Sequence, residues 1–489
     1  MFHTVVACDS KYGIAKNGII PWECPKDLSE FRKLTTGNII LMGRKTYQTI
    51  LPDHNTQTLP ALKNRINLIV SDTFPTTDKT IISKSLEVTD YMQLYSTLFC
   101  FNSILDAVEF CKKLYLRFNL PTYVVGGASI YQWFIERRLI TTEYITELDH
   151  DFECDQFYPK VPYDEINQDG IGYEQDYLVT YTENSHFVTR NITGTYSTIR
   201  HRNKFEQEFL NFGSRILYYG NTKSDRTGTG TISLFGNHLV FDLSNNVFPL
   251  LTTRKMFLRG IFEELMLYLR GQTDNTILES KGISVWTANT TREFLDSRGL
   301  QHLPVGDMGP SYGFLFRYFG AKYVDCKTNY TGQGVDQLTK LIHTIKTNPA
   351  DRRMIISLWD PVNLDNCPLP PCLYNYQFYV ADGKLSCMMT QRSSDYAVAG
   401  GWNVATGALL TIMLASITNL LPGTLTWNMG DTHVYKNLTD DFSSQLRRAP
   451  YTFPLLYISK KDQITDYEFT DLKLVNYLHH DPIAFKMSV

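Results

Sequence analysis

The chain's 489 residues exceed what one hydrophobic core ordinarily organises, so two or more domains are expected. A hydrophobic share of 43% with 20% charged residues suits a soluble globular protein, and a formal net charge of −3 argues against a general nucleic-acid binder while allowing local basic sites. Nine scattered cysteines, with no Cys-x-x-Cys pair, exclude a disulfide framework and argue against zinc; no metal is expected, and the thiols read as reduced and cytoplasmic.

In chain order, residues 1–8 read as a buried strand and lack the basic start and long apolar stretch of a signal peptide. Continuous apolar runs at 39–42, 66–70 and 122–125, with an amphipathic helix over 106–116, predict an N-terminal α/β domain with a mostly parallel central sheet over residues 1–188. Residues 189–202 carry Thr, Asn, Gly, Ser and Arg with little periodicity and read as a linker. Helical patterning resumes at Phe205. Helices are expected over 260–270, 335–347 and 406–420, and strands over 354–359, 377–380 and 385–391, which is α+β over residues 203–489. The apolar run 408–421 is too short and too polar for a membrane span and reads as a buried helix. The Asn-x-Thr sequons at Asn191, Asn289, Asn329 and Asn437 carry no meaning in a cytosolic chain.

The first half holds one chemical pattern. Pro25 can start a helix, which places Asp27 in its first turn and Asp27, Leu28 and Phe31 on one face. A carboxylate among apolar side chains can pair with an amino-pteridine edge and help protonate the ring; an acid stabilising a helix dipole is the equal alternative. Gly43-Arg44-Lys45-Thr46 follows a strand and opens a helix, an anion site suited to a phosphorylated dinucleotide. Gly126-Gly127-Ala128 ends another strand, where a ligand can approach bare backbone or the chain simply turns. In this order, with Gly13-Ile14, Pro21-Trp22, Thr35, Arg65, Tyr131, Thr146 and Phe157-Tyr158-Pro159, the segments resemble dihydrofolate reductase over residues 2–185. The resemblance implies NADPH as hydride donor, with Asp27 as the catalytic carboxylate, assisted by Trp22 and Thr146. It implies folate contacts from Phe31 and Arg65, and cofactor contacts from Ala7, Gly43, Arg44, Lys45, Thr46, Ser71, Gly126, Gly127, Ala128 and Tyr131. Pro60-Ala61-Leu62 stands where the family often has Arg-Pro-Leu, which touches a secondary glutamate contact.

The second half centres on Leu369-Pro370-Pro371-Cys372 and Gln391-Arg392-Ser393-Ser394-Asp395. A free cysteine is usually an inert core residue. Here two prolines stiffen the approach, and a hairpin at 381–384 returns Arg392 toward Cys372, where a guanidinium favours the thiolate. Asp225 to Gly230 and Asp351-Arg352-Arg353 add further arginines, readable as phosphate contacts or as a turn and a solvated charge cluster. Asn403 offers one donor and one acceptor, matching O4 and N3–H of uracil. These segments, with 248–253 and 430–435, resemble thymidylate synthase over residues 203–489. The resemblance implies a large mixed sheet at a dimer interface. It implies Cys372 as nucleophile toward deoxyuridylate (dUMP) and Glu264 as proton manager. Arg226, Arg392 and Ser393 would hold the phosphate, with Arg352 and Arg353 from the other subunit of a homodimer; Asn403 would read the base, and His433 and Tyr435 the deoxyribose. Asp395, Trp286, Asn289 and Val489 would meet the folate.

Several positions depart from that family's pattern. Leu373 stands for a common His, Ala399 for a Gly and Arg254 for a Lys, and residues 400–407 replace a run close to Leu-Pro-Phe-Asn-Ile-Ala-x-Tyr. The glycine pair Gly400-Gly401 is expected to add backbone freedom beside Asn403. The combined expectation is a bifunctional folate enzyme with NADPH and 5,10-methylenetetrahydrofolate/dihydrofolate as cosubstrates, no membrane and no obligatory nucleic acid. The alternative is a working reductase on a degenerate, dimer-forming synthase scaffold.

Overall fold

The structure, a computed structural model, describes residues 1–50, 62–71, 80–81, 94–95, 98–137, 139–159, 168–201, 203–225 and 228–485. The chain divides into two compact units, Met1–Arg202 and Asn203–Val489, each with its own sheet.

In the first unit, parallel strands Phe2–Cys8, Ile39–Gly43, Ile66–Val70, Leu98–Phe101 and Thr122–Val124 form the sheet centre. Ile39, Ile40, Leu41 and Met42 are all fully buried, as strands covered on both faces require. Helix Ile104–Phe118 links two of these strands; Ser103 caps it by accepting the Leu105 N–H. Strand Ile140–Leu148 lies parallel to Phe2–Cys8 and antiparallel to His186–His201.

That last pairing corrects the reading of 189–202 as a linker. Gln168–Glu183 and His186–His201 are a long hairpin, in register from Gln168↔His201 to Glu183↔His186. Its two-residue turn, Asn184-Ser185, takes positive φ at both positions, as the right-handed twist of hairpins favours. Most of His186–His201 is exposed or half-buried, so it lacks the apolar alternation by which a strand is read from sequence.

The second unit opens on helix Lys204–Tyr219, whose N-cap Asn203 accepts the Glu206 N–H at 3.1 Å. Its six-stranded sheet runs, in spatial order, Asn221–Lys223, Thr231–Asp242, Leu421–Tyr435, Lys384–Asp395, Leu373–Ala381, Ile355–Ser357. All pairs are antiparallel except Lys384–Asp395 with Leu421–Tyr435, so the sheet is mixed. Helix Gly400–Ile417 crosses between those two parallel strands. It is apolar enough to span a membrane by length and composition, but 83% of it is buried in the unit's core. It begins six residues before the expected Thr406, because Ala399 and Asn403 N–H groups already bond Asp395 and Ala399 carbonyls. The core packs this helix and Leu258–Leu269 against the sheet face carrying Leu239, Phe241, Met389, Leu425 and Trp427.

Candidate active sites

A cavity of 1240 Å³ opens in the first unit. Helix Pro25–Thr35 lays Asp27, Leu28 and Phe31 along its wall, with Pro25 starting the helix as the sequence predicts. Desolvation raises the Asp27 carboxyl above the usual carboxylate range, the hydrogen bond from Thr146 opposes it, and Glu30 adds repulsion. Arg65 is oriented by Nε donating to Thr35 Oγ1 at 2.8 Å and Nη1 to the Lys63 carbonyl at 2.8 Å.

Ala7, Gly43, Arg44, Lys45, Thr46, Gly126, Gly127, Ala128 and Tyr131 line the same cavity. A Cβ on Gly126 would sit 3.2 Å from Thr46 Oγ1, and Gly126 takes φ +129°, so only glycine leaves this backbone bare toward a ligand. Tyr131 is fixed by donating to the Val5 carbonyl at 2.9 Å. Bare backbone beside Arg44 and Lys45 fits the phosphates of a dinucleotide. Three expected contacts are not on the wall. Trp22 packs into the core against Phe152 at 4.6 Å, Thr146 is buried behind Asp27, and the Ser71 N–H bonds the Phe101 carbonyl at 2.9 Å.

In the second unit a cavity of 590 Å³ gathers Cys372, Glu264, Trp286, Asn289, Ser393, Asp395, Asn403, His433 and Tyr435. It opens where the parallel strands Lys384–Asp395 and Leu421–Tyr435 end, with Asp395 opposite His433 in register. The tight turn at Asp382-Gly383 brings Arg392 back, and its N–H donates to the Cys372 carbonyl at 2.9 Å. The Cys372 N–H donates to Tyr312 Oη at 3.0 Å. Arg392 Nη2 lies 3.9 Å from Cys372 Sγ while its guanidinium holds the Pro371 and Pro370 carbonyls at 3.0 and 2.9 Å. The expected thiolate bias is present but outweighed. Burial pushes the Cys372 thiol up, Arg392 pulls it down, and Asp395 adds to the rise, with a net upward shift.

Asn403 Nδ2 donates to Gln391 Oε1 at 3.2 Å, and Trp427 Nε1 donates to the same oxygen at 2.9 Å. Gln391 is thereby oriented, which fixes the Asn403 amide and leaves its Oδ1 and second N–H for a base. Asp395 is raised by burial, against hydrogen bonds from Val398 and Ala397 and the nearby His433 and Arg254. Arg352 and Arg353 are exposed, off this cavity's wall, and Arg353 pairs with Asp351 at 3.0 Å. Arg226 and Val489 lie outside the described residues.

Residues 1–182 match the dihydrofolate reductase family and residues 207–489 the thymidylate synthase family. The bifunctional dihydrofolate reductase-thymidylate synthase of Paramecium tetraurelia is 38% identical over 497 residues, covering 100% of this chain and 99% of that protein. Those of Leishmania major and Zea mays are 36% and 35% identical, covering 100% of this chain and 95% and 97% of theirs. The chain belongs to the bifunctional dihydrofolate reductase–thymidylate synthase family. It is an oxidoreductase and a methyltransferase. The synthase unit methylates dUMP to dTMP with 5,10-methylenetetrahydrofolate, and the reductase unit returns the dihydrofolate to tetrahydrofolate with NADPH.

Sequence reasoning missed several residues of the synthase cavity. Tyr312 and Trp402 reach Cys372 and Glu264 across 60 and 138 residues, so no local motif announces them. Tyr268 lies one helical turn from Glu264 and Gln391 opens the 391–395 motif, but their bonds to Glu264 and Asn403 show only in the fold. Arg254 Nη2 donates to the Ala397 and Val398 carbonyls at 2.9 and 2.8 Å and packs on Phe485 at 4.7 Å; burial lowers its pKa to about 10. The departure at Gly400-Gly401 lies in close-packed surroundings. Both glycines are buried in the first helical turn, and a Cβ on Gly401 would meet Leu251 Cδ1 at 2.4 Å. Leu251 fills the space a side chain would need, and packing holds the turn.

Proposed function

We propose that Cys372 Sγ attacks C6 of the dUMP uracil, and that the other expected residues take the roles their family resemblance implies. One observation carries this reading: thiol, buried carboxylate, oriented amide and sugar-contacting pair converge on one 590 Å³ cavity. Arg392 and Ser393, with Arg226, hold the phosphate, and Asn403 reads O4 and N3–H. His433 and Tyr435 take the deoxyribose hydroxyl. Glu264 relays protons through water, Asp395 orients the pterin, and Trp286, Asn289 and Val489 close on the folate. Methylenetetrahydrofolate supplies the carbon and the hydride. In the reductase unit Asp27 pairs the pteridine and guides its proton. Trp22 and Thr146 support it from behind, and Phe31 and Arg65 grip the folate. NADPH, held at 43–46 and 126–128 with Ala7 and Tyr131, supplies hydride.

The protein acts as a homodimer through the synthase sheet, with Arg352 and Arg353 lent to the partner's phosphate site. Support comes from the sheet's outer face. Register aligns Val240, Thr426, Met388, Gln377 and Ile355 in one row across five strands, and Val240, Ile355 and Tyr379 are exposed apolar residues. Mixed dimers of Cys372→Ser with Arg352→Ala/Arg353→Ala restore one complete site of two, so the purified mixed dimer should have about half of wild-type activity and a statistically paired co-expressed population about a quarter. No recovery above either parent contradicts the shared site. All nine cysteines are free, which supports a reducing, cytosolic setting, testable by fractionation. The retained thiol, carboxylate and amide favour a working synthase over a degenerate scaffold; absent dTMP formation with a working reductase would reverse that.

A further inference from the structure

Glu264 sits on helix Leu258–Leu269, buried, with both carboxylate oxygens engaged. Oε1 accepts from Tyr268 Oη at 2.9 Å and Trp286 Nε1 at 2.8 Å. Oε2 accepts from Trp402 Nε1 at 2.7 Å. Trp402 stands in a segment whose sequence departs from the family pattern, directly before Asn403 on helix Gly400–Ile417. Gly260, one turn before Glu264, makes room for it: a Cβ there would meet Trp402 Cη2 at 2.7 Å.

An indole N–H donates and cannot accept. Each oxygen of Glu264 therefore faces a group that requires a lone pair, and among its hydrogen-bond partners in the described residues only Tyr268 could receive a carboxylic O–H. We infer that Trp402 is a positioning residue for Glu264: its N–H fixes Oε2 and keeps the carboxyl in its acceptor-only, ionised form. The same indole ties the proton relay to the helix turn that presents Asn403, so base reading and proton handling share one rigid element. The inference rests on the proton-relay role proposed for Glu264.

Titratable groups around Glu264 leave this bond decisive. Tyr268 from its own helix, Tyr312 from the neighbouring helix Tyr312–Tyr318 and Tyr376 from strand Leu373–Ala381 face it, and burial raises all three phenols so that they stay neutral. Among the described residues no charged group bears on Glu264; burial raises its pKa, and the hydrogen bonds from Trp402, Trp286 and Tyr268 oppose the rise.

Trp402→Phe keeps the ring and removes only the donor. The acid limb of the synthase kcat profile is expected to move up by about one to two pH units, with kcat near neutrality down about tenfold and KM for dUMP within about twofold. The unchanged KM reports an intact nucleotide site. Difference infrared spectra of the full chain should show a protonated-carboxyl band at neutral pH in Trp402→Phe that Trp402→Phe/Glu264→Gln lacks. An unmoved acid limb overturns the inference, as does a KM increase matching the entire loss of kcat/KM. Glu264→Gln separates the two layers. If Glu264→Gln turns over normally, the relay assignment fails and the inference with it. If Glu264→Gln is inactive while Trp402→Phe keeps the wild-type limb, the inference alone fails.

Discussion

Replacing Arg392 by Gln tests how the chain activates its thiol. The guanidinium Nη2 lies 3.9 Å from Cys372 Sγ. At that separation a unit-charge pair is worth about 4 kcal/mol with an effective dielectric of about 20. Arg392 is exposed, so water screens it. A dielectric of about 50 leaves about 1.7 kcal/mol, a little over one pKa unit. Arg392→Gln should therefore move the midpoint of Cys372 alkylation up by about one pH unit, since loss of the cation disfavours the thiolate. The assay is the pH dependence of iodoacetamide labelling, read by peptide mass with dUMP protection to single out Cys372. The same variant loses a charge-assisted phosphate contact of about 1.5–3 kcal/mol, so kcat/KM for dUMP should fall by about 10-fold to about 150-fold. A midpoint that stays put while dUMP binding weakens would refute the activating role and leave Arg392 a phosphate ligand only.

The other predictions concern separate groups. Desolvation raises the Asp27 carboxyl, so it keeps its proton to higher pH than a surface Asp, and reductase turnover should decline as pH rises through that value. Asp27→Asn should lose about 100-fold to about 10,000-fold in NADPH oxidation near neutrality, with the deficit shrinking in acid as solvent protonates the substrate; a pH-independent deficit would contradict this. Asn403→Asp presents two acceptors where uracil needs a donor. It should weaken dUMP turnover by about 100-fold and gain affinity for the cytosine nucleotide in equilibrium binding. Glu206 is buried and accepts the N–H and hydroxyl of both Thr252 and Thr253 at 2.7–3.0 Å. Glu206→Ala orphans these donors and should cost about 3–5 kcal/mol in urea unfolding of the synthase unit while the reductase rate stays near wild type.

The parts legible in the sequence were those with local signatures. The runs at 39–42 and 66–70 are strands because apolar residues buried on both faces leave an unbroken pattern. Pro25 and the Asp382-Gly383 turn announced a helix start and a hairpin because their backbone angles are intrinsic to those residue types. The hairpin that replaced the supposed linker stayed hidden because its exposed strands carry no hydrophobic period, although Asn184-Ser185 was a readable turn signal. The synthase helix began early because Gly400 and Gly401, poor helix formers in water, are held by packing on Leu251 and Phe209. At the sites, motif residues such as Cys372 and Asn403 could be nominated alone. Their setting could not, since Trp402 to Glu264 spans 138 residues and Tyr312 to Cys372 spans 60.

The central claim is that Cys372 bonds to a nucleotide ring held in the synthase cavity. A 5-fluoro derivative of dUMP tests it directly, because its C–F bond blocks proton removal at C5 and traps the adduct once methylenetetrahydrofolate is added. Intact-mass and peptide analysis should find one nucleotide and one folate per chain on the Cys372 peptide, and none in Cys372→Ser. An unmodified chain, or an adduct on any other residue, would contradict the account.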